Sequence, residues 1–500
     1  WRVISEENTN ILDGVDGSFI LPNGPIFYYV NDTNLIGDVW TTRVGNITND
    51  ALSILSPQLD INQVLVNYDL EEGDTIFIDT GLYEINREVY LGSLDNGTTT
   101  SRVQLIGSTV PGGSVFTPSA FYLTNAVDIV GFRLVNARNM YLKDVTIDGF
   151  NSGMIFELFA RDNLIEDVVI KNGAGDGVYL NLCDENIFNR TLITRRGGSG
   201  LKADVSVGNM IQNSVIWSNG LSALDIGRSV ISVTNSVLGT YSTNYIYLLR
   251  TNGVVQGDYN AFYIVEPAAF AQRDNLTYEH VPEWVFATEH EFYSLETDPL
   301  FHDPAIDDFH LKSSMGRYDP FYGYYVFTDT NVSPLIDAGP PSWDYGSEPG
   351  PNGTRINIGL QANTSKASLS RTNAWLETIT GMGGGRLEGT LLLTWTYNNI
   401  SETEPVVLDY SYDNGATWVN IGTGLISELT FLWQSDQKIP VDVERWASSP
   451  IGRWRVALAN DTNTFDVTDN YFSLRNKKFV FYLNDESTVG DIYTTGAGSD

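Results

Sequence analysis

The sequence predicts an all-β chain: a right-handed parallel β-helix, or solenoid, followed by a β-sandwich, the two forming one unit of a tandem array. Three observations carry this. A period of about 23 residues runs through the middle of the chain, strict two-residue alternation replaces it near residue 370, and the first 47 residues recur at the far end. Composition agrees: 42% of the 500 residues are apolar, 12% are aromatic and only 18% are charged, so the polar surface is built mostly from Asn, Ser, Thr and Gly. That balance suits an extracellular β protein better than a cytosolic helical one.

The duplicated segment comes first. Trp1-Arg2-Val3 returns as Trp454-Arg455-Val456, and at a constant offset of 453 about 18 of 47 positions are identical, from Thr9, Asn10, Asp13 and Asp16 through Asn31, Asp32 and Gly37 to Thr41, Thr42 and Gly45. Trp1 stands where an initiator Met would, so the expectation is a processed chain or a window on a longer one. A tandem array with a unit of about 453 residues accounts for the overlap; duplicated ends exchanged between subunits by strand addition would also do so. The expected organisation is 1–26, last strands of a preceding sandwich; 27–368, β-helix; 369–480, an immunoglobulin- or fibronectin-like sandwich; 481–500, start of the next β-helix.

Within 120–250, Asn139, Asn163, Asn186 and Asn209 recur at spacings of 24, 23 and 23, with Ser232 23 further on. An apolar column runs Val169, Leu192, Val215, Leu238, and Gly173, Gly197 and Gly220 mark turns. Such a pattern reads as coils of three short strands stacked about 4.8 Å apart, with the Asn column a buried hydrogen-bonded ladder at one corner. Ordinary hairpins would not need an in-register column.

The run Gly73-Asp74-Thr75-Ile76-Phe77-Ile78-Asp79-Thr80-Gly81-Leu82-Tyr83 resembles the opening coil of the pectate-lyase-like β-helix superfamily. Asp298-Pro299-Leu300-Phe301, Asp308-Phe309-His310-Leu311 and Ser333-Pro334-Leu335-Ile336-Asp337-Ala338-Gly339 resemble the closing segment of bacterial and archaeal surface β-helix proteins, and Asn31-Asp32 through Asp50 resembles their lead-in. The resemblance covers about 27–365 and implies the architecture; the superfamily hosts lyases, hydrolases, adhesins and inert fibre modules alike. Beyond residue 370, Leu391–Tyr397, Val406–Tyr412 and Arg453–Leu458 alternate, Asp413-Asn414-Gly415 is a hairpin turn, and 410–418 resembles fibronectin-type or immunoglobulin-like modules.

Charge excludes whole classes of partner. With 29 Lys and Arg against 62 Asp and Glu, the net charge is −33, which disfavours nucleic acid and anionic membrane, and no apolar run is long enough to span a bilayer. The lone Cys183 excludes a disulfide framework and a Cys-based zinc site. β-Elimination needs a cationic base beside a neutralised carboxylate. Arg195, Arg196 and Lys202 could form such a patch, with solvated turn residues as the plainer reading. Hydrolysis needs converging carboxylates. Glu157, Asn181 and Asp204 share a column, but only two are acidic and they lie in a line. No catalytic residue is assigned, and the residues argue against an enzyme more than for one. His280, His290, His302 and His310 lack metal-ligand spacing. No cofactor is required; calcium would suit the acidic clusters at Asn31-Asp32, Asp60 to Asn62 and Asp303 to Asp308, with no defined ligand set. Asn-x-Ser/Thr acceptors fall at Asn31, Asn46, Asn96, Asn189, Asn275, Asn331, Asn352, Asn363, Asn399 and Asn460.

The functional expectation is a structural repeat unit of an extracellular filament, sheath or surface layer, assembling head to tail with adjacent units or copies of itself. The alternatives are a cell-surface polysaccharide-binding β-helix protein, a polysaccharide lyase or hydrolase, or an adhesin, with extracellular glycans as partners.

Overall fold

A computed structural model describes residues 24–476 except 241–243, 266, 354, 382–383, 437–447 and 462. Residues 1–23 and 477–500 lie outside the described residues, and with them nearly all of the expected flanking segments 1–26 and 481–500.

Three nine-stranded sheets form the solenoid, which is a right-handed parallel β-helix. One coil shows the plan. Met140–Lys143 belongs to sheet one, Val145–Asp148 to sheet two and Ser152–Glu157 to sheet three. Every neighbour in each sheet is parallel save the last pair of sheet three, where Ala269–Arg273 meets Leu276–Tyr278 in antiparallel fashion. Alternate side chains point inward and stack on the equivalent residue of the next coil. Ile147, Ile170, Ile193, Ile216 and Leu238 line sheet two's interior, all between 0 and 2% exposed.

Of the column Asn139, Asn163, Asn186, Asn209, the last three hydrogen-bond to one another. Asn186 Nδ2 donates to Asn209 Oδ1 at 2.9 Å, and Asn163 Nδ2 to Asn186 Oδ1 at 2.9 Å. Asn139 instead turns its amide to the Gly97 carbonyl at 3.1 Å. Ser232 is not its continuation, because Asn209 pairs with Ile231: this coil is one residue shorter than its predecessors. The same slip moves Leu238 inside and puts Val237 beside Val215, so the outer column is Val169, Leu192, Val215, Val237. A second amide stack stands at the corner between sheets one and two, where Asn213 Nδ2 donates to Asn189 Oδ1 at 2.9 Å and Asn235 Nδ2 to Asn213 Oδ1 at 2.8 Å. Asn213 and Asn235 adopt φ of 51° and 55°, a left-handed conformation that Asn tolerates better than most residues.

That outer column is apolar because it is covered. Phe301, Phe309, Leu311, Leu335, Ile336 and Ile358, from the arm that follows the last coil, pack on Leu192, Val215, Trp217 and Val237. Asp307 clamps this arm down, accepting from Lys171 Nζ at 2.9 Å and Arg195 Nη1 at 2.5 Å. The helix Val281–Thr288 closes the end of the solenoid, with Trp284 1% exposed against Tyr247 and Phe270.

A β-sandwich follows. Trp375–Thr378, Thr390–Asn398 and Thr430–Gln434 form one sheet; Pro405–Ser411, Val419–Leu425, Ser448–Leu458 and Phe472–Arg475 are the main strands of the other. Leu393, Trp395, Leu408, Tyr410, Trp454 and Phe472 meet between them, none above 1% exposed. Polar contacts join it to the arm and the solenoid's end: Asn398 Nδ2 donates to Asp337 Oδ2 at 2.6 Å, Thr394 Oγ1 to the Phe292 carbonyl at 3.1 Å, and Arg355 to Thr396 Oγ1.

Candidate functional site

The arm covers sheet two, and the candidate site lies on the outer face of sheet three. Strand registry sets its rows. Arg133, Ile155, Tyr179, Lys202 and Asp225 stack in one column, one per coil, and Glu157, Asn181, Asp204 and Gly227 in the next.

A cavity of about 320 Å³ opens where Tyr179, Lys202, Asp204, Asp225, Arg228 and Arg250 converge. Arg228 grips Asp204 with two hydrogen bonds, at 3.0 Å from Nε and 2.7 Å from Nη2. Arg250 Nη2 bonds Asp225 Oδ2. Both guanidinium groups keep outer edges in solvent, with side chains 61% and 53% exposed. Lys202 lies 5.4 Å from the Tyr179 ring centroid and 4.0 Å from Asp176.

The two aspartates differ. The Asp225 side chain is only 2% exposed and its Oδ1 is buried without a hydrogen-bond partner. Burial raises its proton affinity, against the pull of Arg250. Asp204 goes the other way, its carboxyl held low by the hydrogen bonds from Arg228. With strands about 4.8 Å apart and two residues of offset spanning about 6.6 Å, their Cα atoms are roughly 8 Å apart. Neighbouring carboxyls pushed in opposite directions can divide acid and base roles.

The sequence-predicted residues scatter. Lys202 faces the cavity, but Arg196 is 2% exposed inside the turn, its guanidinium donating to the carbonyls of Phe150, Asn151, Lys171 and Asp176, and Arg195 clamps the arm. The three therefore form no basic patch. Asp204 joins the cavity, whereas Glu157, two coils away, is engaged by Arg133 at 3.0 Å. Asp225 and its partner Arg250 belong to no repeating column, so no sequence signal marks them.

His280, His302 and His310 make contacts within the fold, as do Asp32, Asp60 and Asp303 of the acidic clusters. His310 Nδ1 lies 2.7 Å from Asp308, Arg317 Nη2 3.3 Å from His302, and His280 Nδ1 2.7 Å from Glu296. Asp32 holds the backbone N–H groups of Asn34 and Leu82, Asp60 caps a helix and Asp303 a turn. Among the described residues no three His, Cys, Asp or Glu converge to hold a metal ion. Of the glycan acceptors, Asn31 and Asn189 are corrected: both side chains are buried, Asn31 Nδ2 donating to Asp38, Thr41 and the Arg43 carbonyl and Asn189 Nδ2 to Glu166. Asn46, Asn275, Asn331, Asn352, Asn399 and Asn460 are exposed, and Asn96 and Asn363 half-buried.

No described helix is long and apolar enough to cross a membrane. No curated protein matches the chain. Among solved structures, the enzymatically active domain of tailspike protein 2 of bacteriophage CBA120 is similar at 9% identity over 82% of this chain and 73% of that one, with a TM-score of 0.27. The Agl-KA catalytic domain is similar at 14% identity over 52% and 48%, with a TM-score of 0.24. Residues 128–256 match the family model described as a right handed beta helix region, the stretch in which the coils stack most regularly.

Proposed function

We propose that the chain is an extracellular polysaccharide-binding protein that lays an acidic polymer along the outer face of sheet three. The cavity at Lys202, Asp204, Asp225, Arg228 and Arg250 carries this reading. It groups three solvent-reaching cations and a tyrosine in a chain of net charge −33, on a face whose strands, though not their side chains, recur at every coil. Asp204, its carboxyl held low by the hydrogen bonds from Arg228, and Asp225, its carboxyl pushed up by burial, form a neighbouring pair shifted in opposite directions, as glycoside hydrolysis uses, so cleavage is the finer form of the same proposal.

Affinity electrophoresis through polygalacturonate tests it. A protein this acidic is repelled by a polyanion unless local cations hold it, so retardation that disappears in Arg250→Ala and Lys202→Ala supports the site. Unretarded wild-type protein refutes it. Reducing-end release abolished by Asp225→Asn supports hydrolysis; absorbance of unsaturated uronate assigns a lyase instead.

A second reading, that of a repeat unit joined head to tail, is favoured by what the duplicated residues do. Trp454, Phe472 and Leu474 are fully buried in the sandwich, Asp466 holds Thr378, and Asn476 bridges Gly389 and Ser435. In the other copy Asn31 binds Asp38 and Thr41, and Gly45 lies so close that a Cβ would stand 1.9 Å from the Asn31 carbonyl oxygen. The described residues 454–476 close a sandwich and the described residues 24–47 open the solenoid, which supports the order 1–26, 27–368, 369–480 and 481–500. The intact mass of the native polypeptide decides: several-fold above 55.4 kDa favours the array, and 55.4 kDa plus glycans defeats it.

A further inference from the structure

Strand alternation gives each sheet of the solenoid an outer column as well as an inner one. On sheet one registry sets it as Gln104, Tyr141, Leu164, Ile187, Met210 and Ser232, one residue per coil. The four middle members, Tyr141 to Met210, carry apolar surface, and polar residues bracket them. The equivalent column of sheet two is apolar because the arm packs on it. On sheet one nothing comparable does so: among the described residues none of the four joins an apolar cluster, and Met210 is 37% exposed. An apolar strip held over four coils in water marks a surface made to be covered.

Charges beside the strip say by what. At the corner where sheet three turns into sheet one, Arg138, Arg161, Asp184 and Val207 form a second column, again one per coil. Its charge changes sign halfway along, and the two central groups are little used within the fold. Arg161, its side chain 47% exposed, has Asp162 at 3.5 Å, and Asp184 accepts the Val207 backbone N–H at 3.0 Å; among the described residues neither has a closer charged partner. Exposed Glu185 adds to the acidic end. On the opposite flank charge is neutralised internally: Lys143 lies within 3.8 Å of Glu166 and Asp167, and Arg190 engages each of these at 2.7 Å.

Both columns complement themselves about the same point. A two-fold axis along the strands, between the coils of Leu164 and Ile187, turns a second copy antiparallel. It sets Leu164 of one copy against Ile187 of the other, Tyr141 against Met210 and Gln104 against Ser232, and it brings Arg161 against Asp184 twice. Apolar residues then meet at the centre and polar ones at the edge, as in a protein interface. Size agrees. The nine strands, about 4.8 Å apart, make the face about 38 Å long, and the six residues from Arg161 to Glu166 make it about 20 Å wide. That gives each partner about 760 Å², near the ~800 Å² of a standard stable interface. The net charge of −33 on each copy opposes pairing, but physiological salt screens it beyond about 8 Å and leaves the apolar centre to act.

We infer that the outer face of sheet one pairs two copies of the chain side by side and antiparallel. The arm covers sheet two, the second copy covers sheet one, and the sheet-three cavity of each copy stays open to solvent.

Sedimentation velocity of the whole chain across micromolar concentrations at physiological salt tests it, with unfolding midpoints confirming that each variant is folded. A reversible dimer is expected. Ile187→Asp, Arg161→Asp and Asp184→Arg should each weaken it about tenfold or more. Mixing Arg161→Asp with Asp184→Arg should restore pairing as a heterodimer, because each reversed charge then meets its opposite across the two-fold. The inference is overturned if the wild-type chain stays monomeric, if association is unchanged in Ile187→Asp, if the mixed variants fail to pair, or if the wild-type chain instead floats with phosphatidylcholine vesicles.

Discussion

Replacing Asn186 with Ala tests the ladder at its most connected point. The side chain is fully buried, and its Oδ1 accepts from Asn163 Nδ2 at 2.9 Å and from the Asn163 backbone N–H at 3.3 Å. Its Nδ2 donates to Asn209 Oδ1 at 2.9 Å and to the Ala160 carbonyl at 3.1 Å. Truncation leaves some groups a second partner: Asn163 Nδ2 still reaches the Ala137 carbonyl, and Asn209 Oδ1 still receives the backbone N–H of residue 186. The Asn163 N–H and the Ala160 carbonyl lose the bonds that Asn186 supplies, inside a turn that water does not reach. At about 1–3 kcal/mol for each orphaned buried group, the loss is about 2–6 kcal/mol. Guanidinium unfolding reads it as a lower midpoint at unchanged slope, and amide exchange reads it locally as faster exchange at Asn163. A loss below about 1 kcal/mol, with Asn163 still protected, would refute the claim that the ladder supports the corner rather than merely filling it.

Arg196→Ala should cost about 1–3 kcal/mol in the same assay, because the Phe150 carbonyl loses its donor while those of Asn151, Lys171 and Asp176 keep the backbone N–H groups of Gly175, Gly149 and Gly153. Glu291 is buried where Tyr247, Asn260 and Ser294 hydrogen-bond it, and burial pushes its carboxyl up to about 7. The folded protein then holds a proton that the unfolded chain, near 4.5, has lost, so the contribution of Glu291 to stability is full below about 4.5, falls as pH rises to about 7 and is gone above. Glu291→Gln should flatten that fall, worth about 3 kcal/mol, in unfolding midpoints measured from pH 4 to 8. Expressed in a glycosylating host, the chain should carry glycans at exposed Asn275, Asn399 and Asn460 and none at Asn31 or Asn189, as read by glycopeptide mass spectrometry.

The solenoid was legible because its stacking obliges like residues to recur: a buried Asn must find the next Asn one coil on, and an inward Ile the next Ile. Wherever that obligation holds, a period of 23 appears. It breaks where a coil changes length, as between Asn209 and Ile231, and a fixed period then points one residue too far, to Ser232 and Leu238. Chemistry outside the coils carries no such obligation. Arg195 and Arg196 are adjacent in sequence, yet one reaches out to Asp307 and the other turns inward to four carbonyls, because Arg195 takes a left-handed φ of 53° at the corner. Neither position nor charge distinguishes them beforehand.

The candidate site was half legible for the same reason. Asp204 was visible as a member of the column Glu157, Asn181, Asp204, whereas Asp225 stands in the neighbouring column after Tyr179 and Lys202, where nothing repeats. A solenoid keeps residues alike where coils must pack and leaves them free to differ where a face meets solvent. Irregularity on an otherwise periodic face is therefore the signal to seek. On sheet three the column Arg133, Ile155, Tyr179, Lys202, Asp225 never repeats a residue, and its last three members line the cavity. Sheet two shows the opposite: its outer column stays apolar from Val169 to Val237 because the arm lies on it, leaving that stretch no room for a polymer. The arm thus closes this stretch of sheet two to any ligand, and cutting the Asp307 clamp should expose apolar surface rather than create a groove.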